Sequence, residues 1–149
     1  MTIYRLHQAT KERVEQAMSE AGFQGLQVYI RNLPPLKYEG DADKYLPHCL
    51  IGLEVGSDDN EKSSIEVILT FATKDQEPEL KGYEKICHLI EITRLSLAEK
   101  PTLNGQFEIQ KPIQFTLGSI EEETYPYFFG AVMFEVNIPS PGPDYSDLT

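Results

Sequence analysis

The chain has 149 residues, of which 40% are hydrophobic and 25% are charged, and its formal net charge is −11 at pH 7. This length and composition predict one packed domain rather than a disordered chain. The negative charge argues against specific binding to nucleic-acid phosphates. No apolar run reaches the ~18 residues of a membrane-spanning helix, and the start of the chain lacks the apolar core of a secretion signal. We therefore expect a protein of the cytoplasm that binds no membrane.

The first half of the chain predicts one helix followed by three strands. Apolar residues recur at helical spacing over Thr10–Ala21, with Thr10 as the N-cap. Apolar and polar residues then alternate over Leu26–Arg31, as they do in a strand with one covered face. Cys49–Val55 and Ile65–Phe71 predict two further strands, joined as a hairpin by a long polar turn.

The second half repeats this order. The helical period returns over Tyr83–Glu99, and two short strands are predicted on either side of Lys111–Pro112. The aromatic and β-branched segment Tyr127–Ile138 predicts the last strand. Residues 139–149 form a proline-rich tail, which we expect to be extended or mobile. The predicted fold is a single α+β domain over residues 1–149, with one mainly antiparallel β-sheet and two α-helices packed on it.

Two cysteines and two histidines match a structural zinc site in residue type: His48, Cys49, Cys87 and His88. Their spacing argues against such a site, because zinc ligands in a pair normally have two or more residues between them. Neighbouring residues point to opposite faces of a strand and diverge on a helix. We therefore expect no metal site and no cofactor.

Motifs for catalysis are absent from the sequence. There is no nucleophile elbow, no phosphate-binding loop, no dinucleotide-binding glycine pattern and no His-Glu-x-x-His. The carboxylates of Glu121–Glu123 have no apolar surroundings in the sequence that would raise a pKa. We expect that the protein is not an enzyme. A thiol enzyme remains an alternative if Cys49 or Cys87 is exposed and has a lowered pKa.

Two kinds of segment are predicted to form interfaces. The aromatic run Tyr125–Gly130 is typical of a strand at a protein interface, because tyrosine and phenylalanine are enriched there. Alternation along this strand would place one set of residues in the core and the other outside. Acidic loops are the second kind. The predicted interface residues are Tyr125, Tyr127, Phe129, Asp58, Asp59, Asp75 and Glu77.

A series of loose motifs runs along most of the chain. The series is Phe23-x-x-Leu26-x-Val28 to Pro35, Gly82-Tyr83, Leu89-Ile90-Glu91-x-x-Arg94, Pro101-x-Leu103-x-Gly105-x-Phe107, Pro112-Ile113 and Thr124-Tyr125-Pro126 to Gly130. It resembles the small tail-terminator, or tail-completion, proteins of tailed phages and prophages.

The resemblance implies an α+β fold, no catalysis and no cofactor. It also implies a homo-oligomeric ring, commonly a hexamer, that caps the tail tube and contacts the head–tail connector. Such a protein is made in the cytoplasm of the bacterial host and ends in the virion tail. In a ring, carboxylates near Asp58 and Asp75 would repel DNA passing through the channel. We expect the strand near Tyr127 to be an edge strand, which would pair with a neighbouring copy.

The charge leaves another class of function open. An acidic regulatory or inhibitor protein that mimics DNA would also carry a large negative charge. Such mimics spread carboxylates over a continuous face, whereas here many acidic residues lie in segments typical of loops.

Overall fold

The computed structural model describes residues 2–38, 41–76, 81–118 and 125–139. These residues form two α-helices, six β-strands and a 3-10 helix. The elements in chain order are α1 (Thr2–Glu20), β1 (Gln27–Ile30), the 3-10 helix (Asp41–Tyr45), β2 (His48–Asp58), β3 (Ser63–Lys74), α2 (Lys81–Glu99), β4 (Thr102–Leu103), β5 (Phe107–Thr116) and β6 (Tyr127–Ile138). None of the helices in these described ranges is long and apolar enough to cross a membrane.

The six strands form one sheet in the order β1-β2-β3-β6-β5-β4. β1 pairs with β2 in parallel, while the other pairings are antiparallel. The α+β class is therefore confirmed, but the prediction of a mainly antiparallel sheet is wrong, because the sheet is mixed. The physical reason is the long connection from β1 to β2, which includes the 3-10 helix and returns the chain in the same direction.

The sheet curls into a half-barrel with both helices on its concave side. α1 contacts α2, and it also contacts β1 and β4, the two strands at opposite edges of the sheet. Only a curved sheet brings both edges to one helix. α2 packs on β3, β6 and β5. The convex side of the sheet carries neither helix.

The core lies between the two helices and the concave side of the sheet. Alternate residues of β3 and β6 face inward, so that Leu69 and Val132 are cross-strand neighbours with no exposed surface. The fully buried large side chains include Leu6, Val14, Ile51, Val67, Phe71, Ile86, Leu89, Leu97 and Leu103. These residues belong to one hydrophobic cluster, to which both helices and all six strands contribute.

Helix α1 begins well before the predicted start. It runs from Thr2, so the predicted boundary at Thr10 is wrong. Thr10 lies in the helix interior, where its buried hydroxyl donates a 2.7 Å hydrogen bond to the carbonyl oxygen of Leu6. This bond to the residue four positions earlier satisfies the hydroxyl without capping a helix.

The two short strands predicted around Lys111–Pro112 are one strand, β5. Its pairing with β6 shifts between Gln110 and Gln114, where two residues of β6 span the same distance as four residues of β5. The irregularity absorbs Pro112, which has no N–H to donate to a neighbouring strand. The second half still has three strands, because the two-residue strand β4, which was not predicted, precedes β5.

Candidate interaction surface

The aromatic run divides its residues between the two sides of the sheet. Phe128 faces the concave side and packs against α2 at Gly82. Tyr127 and Phe129 alternate with it and face the convex side, where they are opposite Lys74 and Ala72 of β3. Phe129 remains 45% exposed, and Tyr125, just before the strand, 53% exposed.

β6 is not an edge strand. It lies between β3 and β5 and pairs with β3 along its whole length. The expectation that the strand near Tyr127 pairs with a neighbouring subunit at a sheet edge is therefore wrong. The sequence did not reveal this because the position of a strand within a sheet depends on contacts between residues distant along the chain.

Tyr127 belongs to a polar cluster at one end of the sheet, which we call the Asp43 cluster and define as Asp43, Lys74 and Tyr127. Asp43, from the 3-10 helix, accepts a 2.6 Å hydrogen bond from Lys74 Nζ and a 2.9 Å bond from the Tyr127 hydroxyl. The bonds from Lys74 and then Tyr127 hold the pKa of Asp43 below its usual range. The same carboxylate raises the pKa of Lys74 and of Tyr127. The cluster attaches the 3-10 helix to the sheet.

Two further contacts close this end of the sheet. The Asp75 amide donates a 2.9 Å hydrogen bond to the carbonyl oxygen of Pro126. The Tyr125 hydroxyl donates to the carbonyl oxygen of Gln76. Three predicted interface residues, Tyr125, Tyr127 and Asp75, are thus brought together, whereas Glu77 lies outside the described residues. Sequence reasoning missed Asp43 and Lys74 as the partners of Tyr127, since neither belongs to a recognisable motif.

The other predicted acidic residues lie at the opposite end of β3. Asp59 Oδ1 accepts 2.7 Å hydrogen bonds from the amides of Glu61 and Lys62, and the bond from Lys62 is the larger cause of its lowered pKa. Asp58 Oδ1 accepts a 2.5 Å bond from the Ser63 hydroxyl. Both carboxylates hold the hairpin turn. The length of β3, roughly 36 Å at about 3.3 Å per residue, separates them from Tyr127.

The middle of the convex side is apolar. We call the side of β2, β3, β6 and β5 that faces away from α1 and α2 the open face; the 3-10 helix contacts it only at the end that carries Lys74 and Tyr127. Strand alternation places these apolar residues on it: Leu50, Ile68, Ala72, Phe129, Ala131 and Met133. Met133 is opposite Ile68, and Phe129 is opposite Ala72, so the apolar side chains form a continuous strip. Most of them are half-buried rather than covered.

Two carboxylates border this strip. Glu66 of β3 and Glu135 of β6 are direct cross-strand partners on the open face. Glu135 Oε1 accepts a 2.7 Å hydrogen bond from the Ser64 hydroxyl, and in the described part of the chain neither glutamate forms an ion pair. Like charges placed directly opposite each other destabilise a sheet. The open face therefore combines apolar surface with uncompensated negative charge.

The cysteines and histidines do not form a common site. Cys49 is fully buried, and burial raises the pKa of its thiol, so the thiolate is disfavoured. Half-buried Cys87 forms a hydrogen bond that raises the pKa of Tyr83. The His88 ring packs against the Phe23 ring, with 6.0 Å between the ring centroids. Among the described residues, no group of three or more His, Cys, Asp or Glu side chains is arranged to hold a metal ion.

Comparison of the sequence with models of known protein families and with curated proteins finds no match.

Proposed function

We propose that this chain is a structural assembly protein of a phage or prophage tail, which acts as a tail terminator. In this role copies of the chain form a ring, such as the hexamer that the resemblance implies. The ring caps the tail tube and provides the contact for the head–tail connector. The protein is made in the cytoplasm of the bacterial host and becomes part of the virion tail.

The observation that carries this proposal is the open face. A sheet that packs helices on one side and leaves an apolar strip on the other has a surface suited to another protein. Phe129 supplies an aromatic side chain of the type that is enriched at interfaces, and it is 45% exposed. Half-buried Ile68 and Met133 extend the same strip.

The two glutamates on the open face support a docking role. Glu66 and Glu135 cost stability as direct neighbours, so a basic partner would relieve their repulsion. Electrostatic complementarity of this kind contributes to the specificity and rate of association. We therefore assign the open face to the tail-tube or connector protein, and expect basic side chains on the partner surface.

The alternatives have less support. A thiol enzyme needs an accessible thiolate, whereas Cys49 is buried and its pKa is raised. A DNA mimic needs a continuous acidic face, whereas the Asp59 carboxylate is engaged by its own turn and Asp43 by Lys74. The acidic residues at the two ends of β3 remain candidates for the channel of a ring, and a neutral or basic lumen in the assembled ring would exclude that role.

The test is electron microscopy of the purified protein mixed with tail tubes from the same phage or prophage. We expect tubes of uniform length with a ring at one end. A Phe129→Ser variant should add far fewer rings, because it removes the exposed aromatic from the open face. Tyr4→Ser is the matched control, since Tyr4 is 49% exposed on α1, which packs on the other side of the sheet.

Two results would contradict the proposal. Tubes that continue to grow without added density at their ends would exclude a terminator. Equal capping by the Phe129→Ser variant and the wild type would exclude the open face as the docking surface. Circular dichroism of both variants verifies that they are folded.

A further inference from the structure

A second surface lies on the other side of the sheet, at the edge of the molecule. A groove runs between the C-terminal half of α2 and the strand β5. Its lining residues are Arg94, Ala98, Lys111, Pro112, Ile113 and Phe115. Phe115 is 46% exposed, and the Arg94 guanidinium lies over its ring, 5.4 Å from the ring centroid. We call this the α2–β5 groove.

One wall of the groove is the backbone of an edge strand. β5 pairs with β6 on its inner side, while on its outer side β4 pairs with Phe107 and Glu108 alone. In the described ranges no strand pairs with the outer side of residues 110–116. Backbone groups along an unpaired edge bind an added extended segment by forming further strand hydrogen bonds.

The charge of the groove is opposite to that of the whole chain. Its two charged lining residues, Arg94 and Lys111, are both basic, whereas the chain has a net charge of −11. Neither forms an ion pair with the described residues. Basic side chains beside an exposed aromatic and an open strand edge fit an extended acidic segment that also carries apolar side chains.

We propose that the α2–β5 groove binds the C-terminal segment of a second copy of this chain. Residues 140–149 read Ser-Pro-Gly-Pro-Asp-Tyr-Ser-Asp-Leu-Thr, with Asp144 and Asp147 as the charged residues and no basic residue. Tyr145 and Leu148 supply apolar side chains for the surface formed by Phe115. In the sequence the segment comes soon after β6, and near the end of that strand Asn137 is opposite Glu108 of β5, the strand that forms the groove.

This contact would join neighbouring copies in the ring. The inference therefore rests on the proposed function, which includes that ring. A segment of one copy bound in the groove of the next is a head-to-tail contact, and repetition of such a contact forms a ring when the rotation between neighbouring copies closes. Acidic segments in basic grooves also offset the repulsion between copies that each carry a charge of −11. The open face stays free for the tube or the connector.

The first experiment measures binding of a fluorescein-labelled peptide of residues 140–149 to the full chain by anisotropy. The Arg94→Glu/Lys111→Glu variant should bind it at least about tenfold more weakly, because two attractive contacts become repulsive. A peptide with Asp144→Lys and Asp147→Lys should bind that variant and not the wild type. Lys85→Glu is the control: Lys85 is exposed on α2, nine residues before Arg94 and hence on the opposite side of the helix.

The second experiment tests whether the contact joins two copies. A full chain with Asp144→Lys/Asp147→Lys is mixed with the Arg94→Glu/Lys111→Glu variant, and complexes are measured by sedimentation velocity. We expect complexes in the mixture, because the basic segment of one variant binds the acidic groove of the other, and none with either variant alone. No complex in the mixture overturns binding between copies. An equal loss of peptide binding in Lys85→Glu overturns the groove as the site.

The two proposals fail separately. Peptide binding and complex formation without capping of tail tubes would refute the terminator function and leave the contact between copies intact. Capping that is unaffected by Arg94→Glu/Lys111→Glu would retain the terminator function and refute the groove.

Discussion

Gly130 lies where β6 passes beneath α2. A Cβ atom there would come within 2.5 Å of Ile90 Cδ1 and 2.8 Å of Ile86 Cγ2. Both isoleucines are buried in α2, so neither can move aside freely. The sequence shows a glycine at the end of an aromatic run, but the reason for it is the approach of a helix that is some 40 residues earlier in the chain.

We expect Gly130→Ala to lower the free energy of unfolding by about 1–3 kcal/mol, because it overpacks the contact with α2. Gly52→Ala is the control, since the nearest atom to a Cβ at Gly52 is 3.7 Å away. Urea unfolding of both variants measures the effect. Equal stability of the two variants would show that α2 shifts without cost.

His48, at the start of β2, is buried, with 8% of its surface exposed. Burial lowers its pKa, and a hydrogen bond with the Tyr45 backbone opposes this only in part. The unfolded chain therefore takes up a proton on this histidine at a higher pH than the folded protein does. As the pH falls below about 6.5, His48 makes the folded state progressively less stable, until the pH passes its lowered pKa.

The prediction is a titration midpoint for the His48 imidazole below the ordinary 6.5, measured by NMR. The free energy of unfolding should correspondingly be lower at pH 5.5 than at pH 7.5, to which His7 also contributes because burial lowers its pKa as well. A His48 midpoint at or above 6.5 would contradict the burial of the ring in solution.

At the scale of elements, the helical and strand patterns predicted the type of each long element but not all of its bounds. The four-residue spacing of Leu6, Thr10, Val14 and Met18, all buried in α1, was present in the sequence. A threonine in this series resembled an N-cap because its hydroxyl suits both positions. For β5, a proline within a strand pattern indicated a break, whereas the structure accommodates it as an irregularity at an edge.

Arg13 links α1 to the end of α2 and the start of β4. Its guanidinium donates 2.7 Å hydrogen bonds to the carbonyl oxygens of Lys100 and Thr102 and a 3.3 Å bond to that of Ser96. Ser96 lies in the last turn of α2, where a cation interacts favourably with the helix dipole, and Lys100 and Thr102 lie just beyond the end of the helix. No sequence motif marks this contact between residues more than 80 positions apart.

We expect Arg13→Met to reduce the free energy of unfolding by about 1–2 kcal/mol, because the apolar stem is kept while the charged donors are lost. Arg5→Met is the control on the same helix, where the arginine is exposed and caps no carbonyl among the described residues. The measurement is thermal or urea unfolding at neutral pH. A loss of the same size in the control would assign the effect to net charge rather than to the link between α1 and β4.

At the scale of the whole molecule, the open face and the α2–β5 groove exist only because the sheet orders its strands as it does. The order of the elements along the chain does not predict that β6 lies between β3 and β5 in the sheet. That insertion places Phe129 on an inner strand of the convex side and leaves Phe115 on a strand near the edge of the sheet. The Asp43 cluster likewise joins residues from three separate elements.

By itself, the sequence determined the α+β class, the two helices, the long strands and the strong negative charge, because each follows from local periodicity or composition. Tertiary structure alone decided the parallel β1–β2 pair, the curvature of the sheet and the groups into which the predicted interface residues fall. Tyr125, Tyr127 and Asp75 lie at one end and Asp58 and Asp59 at the other. The physical reason is that strand order and the side of a sheet that helices cover depend on packing between distant segments, which local patterns do not encode.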